Sequence, residues 1–224
     1  MIKKVLLVLI VLWIGIRAQA GLLEDFDSLG GNDVLINRAK ILRPDKKVNI
    51  VQNRTVDRRW RNEFSGGYSN VIGGDSFLDT QMLNLSYHLH INPYWTVGLN
   101  YYSAFNGTSS EGKFLIDNGD VPDFDQPDTG YEAVLNVAPI YGKVNLLGMG
   151  VSQFDVYGIL SYGNIKLKSG ETQSWTYGAG VGLWISQHLT SRLEIRQRAY
   201  EAQRFGGASN VNTTNVGLSF GYLL

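Results

Sequence analysis

The sequence predicts an all-β fold, an eight-stranded antiparallel transmembrane β-barrel with a short N-terminal extension. Three observations predict it: the alternation at the carboxyl end, the spacing of eight strand-like segments, and a leader-like amino terminus. The alternating apolar residues at the end of the chain are Val216, Leu218, Phe220, Tyr222 and Leu224. Residues between them are mostly small, and this period of two is typical of a strand with one apolar face. Such a strand is expected in the wall of a transmembrane barrel.

The amino terminus has the composition of a secretory signal peptide. Two lysines precede an apolar run from Val5 to Ile16, and Ala18-Gln19-Ala20 forms a small-x-small cleavage site. The run is shorter than the roughly 20 residues that a membrane-spanning helix needs. We therefore predict that residues 1–20 are a signal peptide and that the mature chain is exported in a Gram-negative cell.

Eight later segments have the length of outer-membrane strands, which is about 9–11 residues. They are residues 62–72, 78–92, 95–105, 133–144, 153–162, 173–185, 189–200 and 213–224. Connections after the second, fourth and sixth segments are short, and those after the third, fifth and seventh are longer. Short turns lie on the periplasmic side of such barrels and long loops outside. This predicts periplasmic termini and an extracellular acidic loop at residues 106–131.

The second face of each strand mixes glycine, amide, imidazole and charge. In the second segment Leu85 and Tyr87 share one face, while His88 and His90 share the other. Eight strands enclose an interior just wide enough for side chains, and buried charges require partners. We therefore predict a polar network in the lumen, with the arginines pairing to the acidic residues. Its members are Arg192, Glu194, Arg196, Arg198, Asp155, His88 and His90.

Residues 21–60 form the predicted periplasmic extension, and residues 61–224 form the barrel. Asn32 or Asp33 would cap a short helix that ends before Pro44. Basic residues are concentrated between positions 38 and 61, which favours contact with anionic lipid or a periplasmic partner. The residues predicted for this contact are Arg54, Arg58, Arg59, Trp60 and Arg61. The alternative is that these charges keep the extension soluble and pair with rim carboxylates such as Glu63.

Short motifs along the barrel resemble a known family. They are Gln52-Asn53-Arg54, Arg61-Asn62-Glu63-Phe64, Tyr87-His88 with Asn92 and Trp95, Pro139 with Tyr141-Gly142-Lys143, Phe154-Asp155-Val156-Tyr157, and Arg192-Leu193-Glu194-Ile195-Arg196. In order and spacing they resemble the small outer-membrane β-barrel domain of myxobacterial type, of OmpA or OmpX size, found in gliding and predatory bacteria. The resemblance covers residues 32–224. It implies an outer-membrane location, envelope complexes associated with gliding motility, and no catalytic residues.

The residues also allow three alternative sites: a hydrolase site, a zinc site and a calcium site. Ser86 with His88 and His90 would suit a lipid or peptide hydrolase, but residues two apart on one strand lie about 7 Å from each other. A zinc site on the same histidines would need a third ligand. Carboxylates in the acidic loop could bind calcium, although they lack the EF-hand pattern. The calcium candidates are Asp117, Asp120, Asp123 and Asp125.

The amino-acid composition excludes several classes of site and partner. The chain has no cysteine, which excludes disulfides and thiolate metal sites, and its 20 acidic and 20 basic residues do not indicate a nucleic-acid binder. We predict a non-enzymatic structural or interaction barrel without a cofactor. Its expected partners are outer-membrane lipid, the barrel assembly machinery and periplasmic envelope proteins. A narrow pore for solutes or ions and a hydrolytic barrel are the alternative functions.

Overall fold

The computed structural model describes residues 41, 56–145 and 151–224. These form a closed barrel of eight antiparallel strands in chain order, as the sequence predicts. The strands are β1 (Arg61–Gly73), β2 (Leu78–His90), β3 (Trp95–Thr108), β4 (Pro127–Asn145), β5 (Val151–Leu167), β6 (Glu171–Trp184), β7 (Leu189–Arg204) and β8 (Gly207–Leu223). Helix α1 (Ser110–Asp117) lies between β3 and β4. Pairing of β1 with β8, which runs from Glu63 with Leu223 to Gly73 with Thr214, closes the barrel.

The predicted signal peptide, most of the predicted extension helix and Arg54 lie outside the described residues. Ile41 is helical and exposed. None of the described residues belongs to a helix that is long and apolar enough to cross a membrane.

Short polar turns join the strands at the end of the barrel where the termini lie, which we call the terminal end. In the β2–β3 turn the Asn92 side chain accepts hydrogen bonds from the backbone N–H groups of Tyr94 and Trp95, both at 2.8 Å. In the β6–β7 turn Ser186 accepts from the N–H of Leu189 at 2.8 Å. Side-chain acceptors of this kind favour tight turns because they replace backbone acceptors.

The opposite end, which we call the hairpin end, differs from the prediction. The β5–β6 and β7–β8 connections were expected to be long loops, but they are residues 168–170 and 205–206 only. The polar residues on either side continue the ladder, because strand pairing satisfies the backbone groups of a protruding hairpin. Gly207, with φ of 109°, makes the β7–β8 turn possible.

The long acidic loop is shorter than predicted and partly helical. It spans residues 109–126, because β3 extends to Thr108 and β4 begins at Pro127. Ser109 caps α1 by accepting a hydrogen bond from the N–H of Gly112 at 3.1 Å. A Cβ atom at Gly112 would lie 2.8 Å from the Phe77 carbonyl oxygen, so glycine allows the helix to rest on the β1–β2 connection.

The two predicted faces of the strands are confirmed. Leu85 and Leu99 are exposed on the outside, whereas His88, His90 and Asn100 are buried inside. Aromatic residues lie outside near both ends of the wall, as in the girdles of outer-membrane barrels. They include Tyr68, Tyr101, Tyr131, Tyr162 and Trp175 toward the hairpin end, and Tyr94, Trp95 and Tyr222 toward the terminal end.

Apolar clusters lie at both ends of the interior, and charged residues lie between them together with a third apolar cluster of Val134, Ala138, Tyr157 and Ile159. The cluster at the hairpin end comprises Met82, Tyr102, Ile165, Leu167, Tyr200, Ala202 and Val211. The cluster at the terminal end comprises Val56, Trp184 and Leu223. Because eight strands leave room for side chains only, these clusters and the charges between them fill the barrel.

Candidate functional site

Three buried polar residues surround the Glu63 carboxylate, and we call the four together the terminal ion cluster: Glu63, His90, Thr190 and Arg192. Arg192 binds Glu63 through two parallel hydrogen bonds of 3.0 and 2.6 Å. Thr190 donates to the same carboxylate at 2.9 Å, and His90 Nε2 lies 2.7 Å from it. All four residues are buried. Bidentate pairing with extra hydrogen bonds is the arrangement that makes a buried ion pair tolerable.

The chain enters the barrel through its terminal end, and residues 56–58 form what we call the entry segment. The Val56 N–H donates to Gln153 Oε1 at 2.8 Å. Arg58 forms an ion pair with Asp155 and is 3% exposed. Its guanidinium lies 5.0 Å from the ring centre of Trp184. The entry segment therefore closes the mouth of the barrel with an apolar residue, an ion pair and a cation–π contact.

The residues after the entry segment lie at the rim. Arg61 donates to the carbonyl oxygens of Leu224 at 3.0 Å and Leu223 at 3.2 Å, so it joins the start of β1 to the end of β8. Trp60 is 62% exposed and has a positive φ of 57°. Arg59 is also exposed. Arg58 and Arg61 were predicted to contact lipid or a partner, but their guanidinium groups are engaged within the barrel and its rim.

A second group of four residues lies closer to the hairpin end, and we call it the hairpin-side ion cluster: Glu132, Ser161, Thr176 and Arg198. Glu132 accepts from Arg198 Nε at 2.9 Å, from Thr176 at 2.8 Å and from Ser161 at 3.3 Å. The Arg198 guanidinium also lies 4.0 Å from the ring centre of Tyr102. The carboxylate and the guanidinium are again fully enclosed.

The third lumen arginine is paired with its neighbour on the same strand. Arg196 binds Glu194 at 2.6 Å, and Tyr157 donates to Glu194 at 2.6 Å from the other side. Each arginine of β7 that points inward thus faces a carboxylate. The predicted pairing of these arginines with Asp155 is not observed, because Asp155 binds Arg58 of the entry segment.

Two carboxylates of the network were not among the predicted lumen residues. Glu63 was considered only as a partner for the basic extension, and Glu132 lies one residue before the predicted start of the fourth strand. Both occupy inward positions of their strands, in step with Ser65 on β1 and with Val134 on β4. Extending the period-two alternation by one residue before the predicted strand would have assigned Glu132 to the lumen.

Two small cavities lie among the described side chains of the lumen. One cavity of about 30 Å³ is bordered by His88, Arg196 and Met82, and another of about 20 Å³ is bordered by Tyr200, Thr213 and Met82. Met82 and Arg198 separate the two. Neither ring nitrogen of His88 has a hydrogen-bond partner among the described residues. Cavities of this size hold no more than a few waters each.

A family model confirms what this geometry indicates. Residues 57–223 match the model of the outer membrane protein beta-barrel domain. The chain belongs to this family. It is therefore an outer-membrane β-barrel, and the long barrel strands with aromatic ends are the family's membrane-spanning wall.

The structure is similar to several solved structures at low sequence identity. A de novo designed transmembrane β-barrel is 12% identical, with 76% of this chain and 100% of that chain covered and a TM-score of 0.42. The outer membrane protein AlkL is 9% identical, covering 80% and 97%, with a TM-score of 0.45. Ail of Yersinia pestis is 13% identical, covering 74% and 99%, with a TM-score of 0.37. A comparison with curated proteins returned no match.

The histidines of this outer-membrane barrel do not form the predicted catalytic alternative. Ser86 donates to Asn100 at 2.8 Å instead of reaching a histidine. His90 lies between the Thr96 hydroxyl at 2.9 Å and Glu63, a series of hydroxyl, imidazole and carboxylate. Thr96 is 8% exposed and His90 is 1% exposed. A hydrolase must present its nucleophile to the substrate, whereas the Thr96 hydroxyl of this series is buried.

The predicted metal alternatives are not assembled either. The described residues contain no group of three or more His, Cys, Asp and Glu side chains that could hold a metal ion. Asp125 accepts hydrogen bonds from Ser169, including its N–H at 3.2 Å, and Asp123 accepts from the Phe205 N–H at 3.1 Å. These two carboxylates fasten the acidic loop to the neighbouring hairpins. Asp117 and Asp120 are exposed near the end of α1.

Proposed function

We propose that this outer-membrane β-barrel is a closed, non-enzymatic scaffold that holds its N-terminal extension at the periplasmic mouth for contact with envelope partners. The observation that carries this proposal is the entry segment. Arg58 and Val56 attach the chain to Asp155, Gln153 and Trp184 inside the mouth. An anchor of this kind fixes the place at which the chain reaches the barrel.

The orientation belongs to the proposal. The capped acidic loop of residues 109–126 is much longer than the turns at either end, and its place at the hairpin end favours periplasmic termini and an extracellular loop. Arg59 and Trp60 would then lie at the periplasmic rim, exposed and next to the membrane. A tryptophan beside a basic residue at this level suits a lipid headgroup or an acidic protein surface.

The partner class follows from the resemblance to barrels of myxobacterial type. Some members of that family take part in envelope complexes associated with gliding motility. We propose the same class of complex for this protein, with the extension as the contact to other periplasmic components. Arg54 and Arg59 are the basic residues of the extension that we assign to this contact.

The pore alternative requires free arginines along an open path. The paired state of Arg192, Arg196 and Arg198 supports a closed barrel instead, because each of them binds a carboxylate. Opening a path would expose or separate these pairs, which is costly in a low-dielectric interior.

Two measurements test the proposal. In planar bilayers the refolded mature protein is expected to show no steady conductance, and steady ohmic steps would overturn the closed barrel. In cells, a photo-crosslinking amino acid at Arg59 is expected to trap periplasmic proteins. The same amino acid at Gln81, which is exposed on the wall of β2, is the matched control. Protein adducts from Gln81 and none from Arg59 would contradict the role of the extension.

A further inference from the structure

The residues around Arg58, in the mouth at the terminal end, have the composition of a receptor for an arginine side chain. The guanidinium of Arg58 lies 5.0 Å from the ring centre of Trp184 and 5.6 Å from that of Tyr141. Asp155 pairs with the guanidinium, and Trp184 Nε1 donates to the same carboxylate at 3.2 Å. Two aromatic rings beside a carboxylate suit the planar guanidinium better than the compact ammonium group of lysine. We call Tyr141, Asp155 and Trp184 together the guanidinium socket.

The barrel strands alone supply the guanidinium socket, whose residues belong to β4, β5 and β6. Asp155 and Trp184 are 2% and 1% exposed. A Cβ atom at Gly182 would lie 2.3 Å from Asp155 Oδ1, so a larger residue there would displace the carboxylate. The wall is therefore shaped to hold this carboxylate, whereas the arginine that fills the socket comes from the segment before the barrel.

The entry segment occupies the mouth as an extended tripeptide. Val56 and Arg58 are buried, whereas Asp57 between them is exposed, and this alternation is typical of an extended chain. The Val56 N–H donates to Gln153 Oε1, and the Val56 side chain packs in the apolar cluster of the terminal end. The mouth therefore contacts a backbone N–H, an apolar side chain and, two positions later, an arginine.

Arg58 is held less completely than the arginine in the terminal ion cluster. Neither Arg58 Nε nor Asp155 Oδ1 has a hydrogen-bond partner among the described residues, although both atoms are buried. Arg192, in contrast, donates to both oxygens of Glu63. Trp60 has a φ of 57°, a left-handed conformation that costs free energy for a bulky residue. Unsatisfied polar atoms and backbone strain favour release of the entry segment, because both are relieved when it leaves.

We propose that the mouth is a binding site for an extended peptide of the form apolar-x-Arg, and that residues 56–58 are its exchangeable internal ligand. The external ligand is such a segment of a periplasmic envelope protein, so this inference rests on the proposed function and specifies the chemistry of the partner. Residues 56–58 are close to β1 in sequence, which gives them an effective concentration in the millimolar range. A partner already bound to the extension is presented at a comparable concentration and replaces them.

The test uses the refolded mature protein and a labelled synthetic peptide with the sequence of residues 55–59, Thr-Val-Asp-Arg-Arg. Fluorescence polarisation measures its binding. Arg58→Ala should bind the peptide at least about tenfold more tightly than the unaltered protein, because the internal ligand no longer fills the socket. Arg59→Ala is the matched control, since Arg59 is exposed, and it should bind like the unaltered protein. Adding Asp155→Asn to Arg58→Ala should weaken binding about tenfold.

A second peptide and a second variant sharpen the test. Replacing the first arginine of the peptide by lysine should weaken its binding to Arg58→Ala about tenfold. Heat-modifiable mobility on a gel shows whether each variant is folded. Arg58→Gln keeps a donor for Asp155 and should also bind the peptide more tightly than the unaltered protein. Folding of Arg58→Ala only in the presence of the peptide would support the same site.

Three results would overturn the proposal. Equal binding of the peptide by Arg58→Ala and Arg59→Ala would place it elsewhere on the protein. Absence of binding to the folded Arg58 variants would show that the mouth accepts no external segment. Displacement of the peptide by arginine amide at equal concentration would exclude a peptide ligand, because the contacts of Val56 would then contribute nothing. Failure of the proposed scaffold function is distinguishable, since it would appear as conductance or as missing crosslinks in cells, and neither enters this assay.

Discussion

The two ends of the lumen are closed in different ways. The hairpin end is filled by an apolar cluster contributed by the strands themselves. The terminal end is closed by residues 56–58, which come from outside the barrel and are held by Asp155 and Gln153. An apolar filling needs only complementary shape, whereas ionic closure depends on both partners being present. The difference indicates that the terminal end is the one built to hold another segment of chain.

A substitution in the terminal ion cluster should have the largest effect on the free energy of unfolding. Glu63→Ala would leave Arg192 buried without its carboxylate, and we expect a loss of about 3–5 kcal/mol in the free energy of unfolding. Urea unfolding of the protein in phosphatidylcholine vesicles, followed by tryptophan fluorescence, measures it. Glu201→Ala is the control, because Glu201 is exposed on the outside of β7 and should change stability by no more than about 0.5 kcal/mol. Equal effects of the two variants would mean that the ion cluster does not hold the barrel together.

A substitution in the apolar cluster at the hairpin end should have the next largest effect on the free energy of unfolding. Met82 is 2% exposed, packs in the apolar cluster and separates the two small cavities. Met82→Ala would join them and remove packing, so we expect about 3 kcal/mol of destabilisation in the same unfolding assay. Met82→Leu, which conserves most of the volume, should cost less than about 1.5 kcal/mol. A similar loss from both would argue that the Arg198 contact to the sulfur, at 3.6 Å, matters more than packing.

Detaching the entry segment from the barrel mouth should reduce the free energy of unfolding by a smaller amount. Asp155→Asn removes the charge that holds Arg58, and Arg58 can turn toward water at the mouth. We expect about 1–2 kcal/mol of destabilisation, with faster tryptic cleavage after Arg58 in the folded protein. Asp79→Asn, an exposed position near the hairpin end, is the control and should leave the cleavage rate unchanged. Unchanged cleavage in Asp155→Asn would show that other contacts hold the entry segment.

Substitutions at two lumen threonines, one hydrogen-bonded and one not, are expected to have the smallest effects on stability. Thr176 donates to Glu132 at 2.8 Å, whereas the Thr213 hydroxyl has no hydrogen-bond partner within the described part of the chain. Thr176→Val should therefore cost about 1–2 kcal/mol, and Thr213→Val should be neutral or slightly stabilising. Unfolding in vesicles measures both variants. A clear loss of stability in Thr213→Val would instead indicate that the Thr213 hydroxyl makes a stabilising hydrogen bond.

Most of the barrel could be predicted from the sequence. Period-two alternation located the eight strands and assigned Leu85 to lipid and His88 to the lumen, because a strand in a barrel wall has only these two faces. The ends of the strands were less predictable. Polar and glycine residues near the β5–β6 and β7–β8 hairpins indicated loops, yet they continue the strand pairing. Local composition does not report whether such a segment finds a neighbouring strand.

The sequence by itself determined the strand number, the two faces of the wall and the presence of charge in the lumen, since each follows from spacing along the chain. Only the tertiary structure decided the partners of those charges. Arg192 pairs with Glu63 and Arg198 pairs with Glu132, across 129 and 66 positions of the sequence. Asp155 binds Arg58 because the entry segment turns into the mouth of the barrel. Contacts across a closed lumen depend on barrel closure and strand tilt, which bring together residues that no local pattern relates.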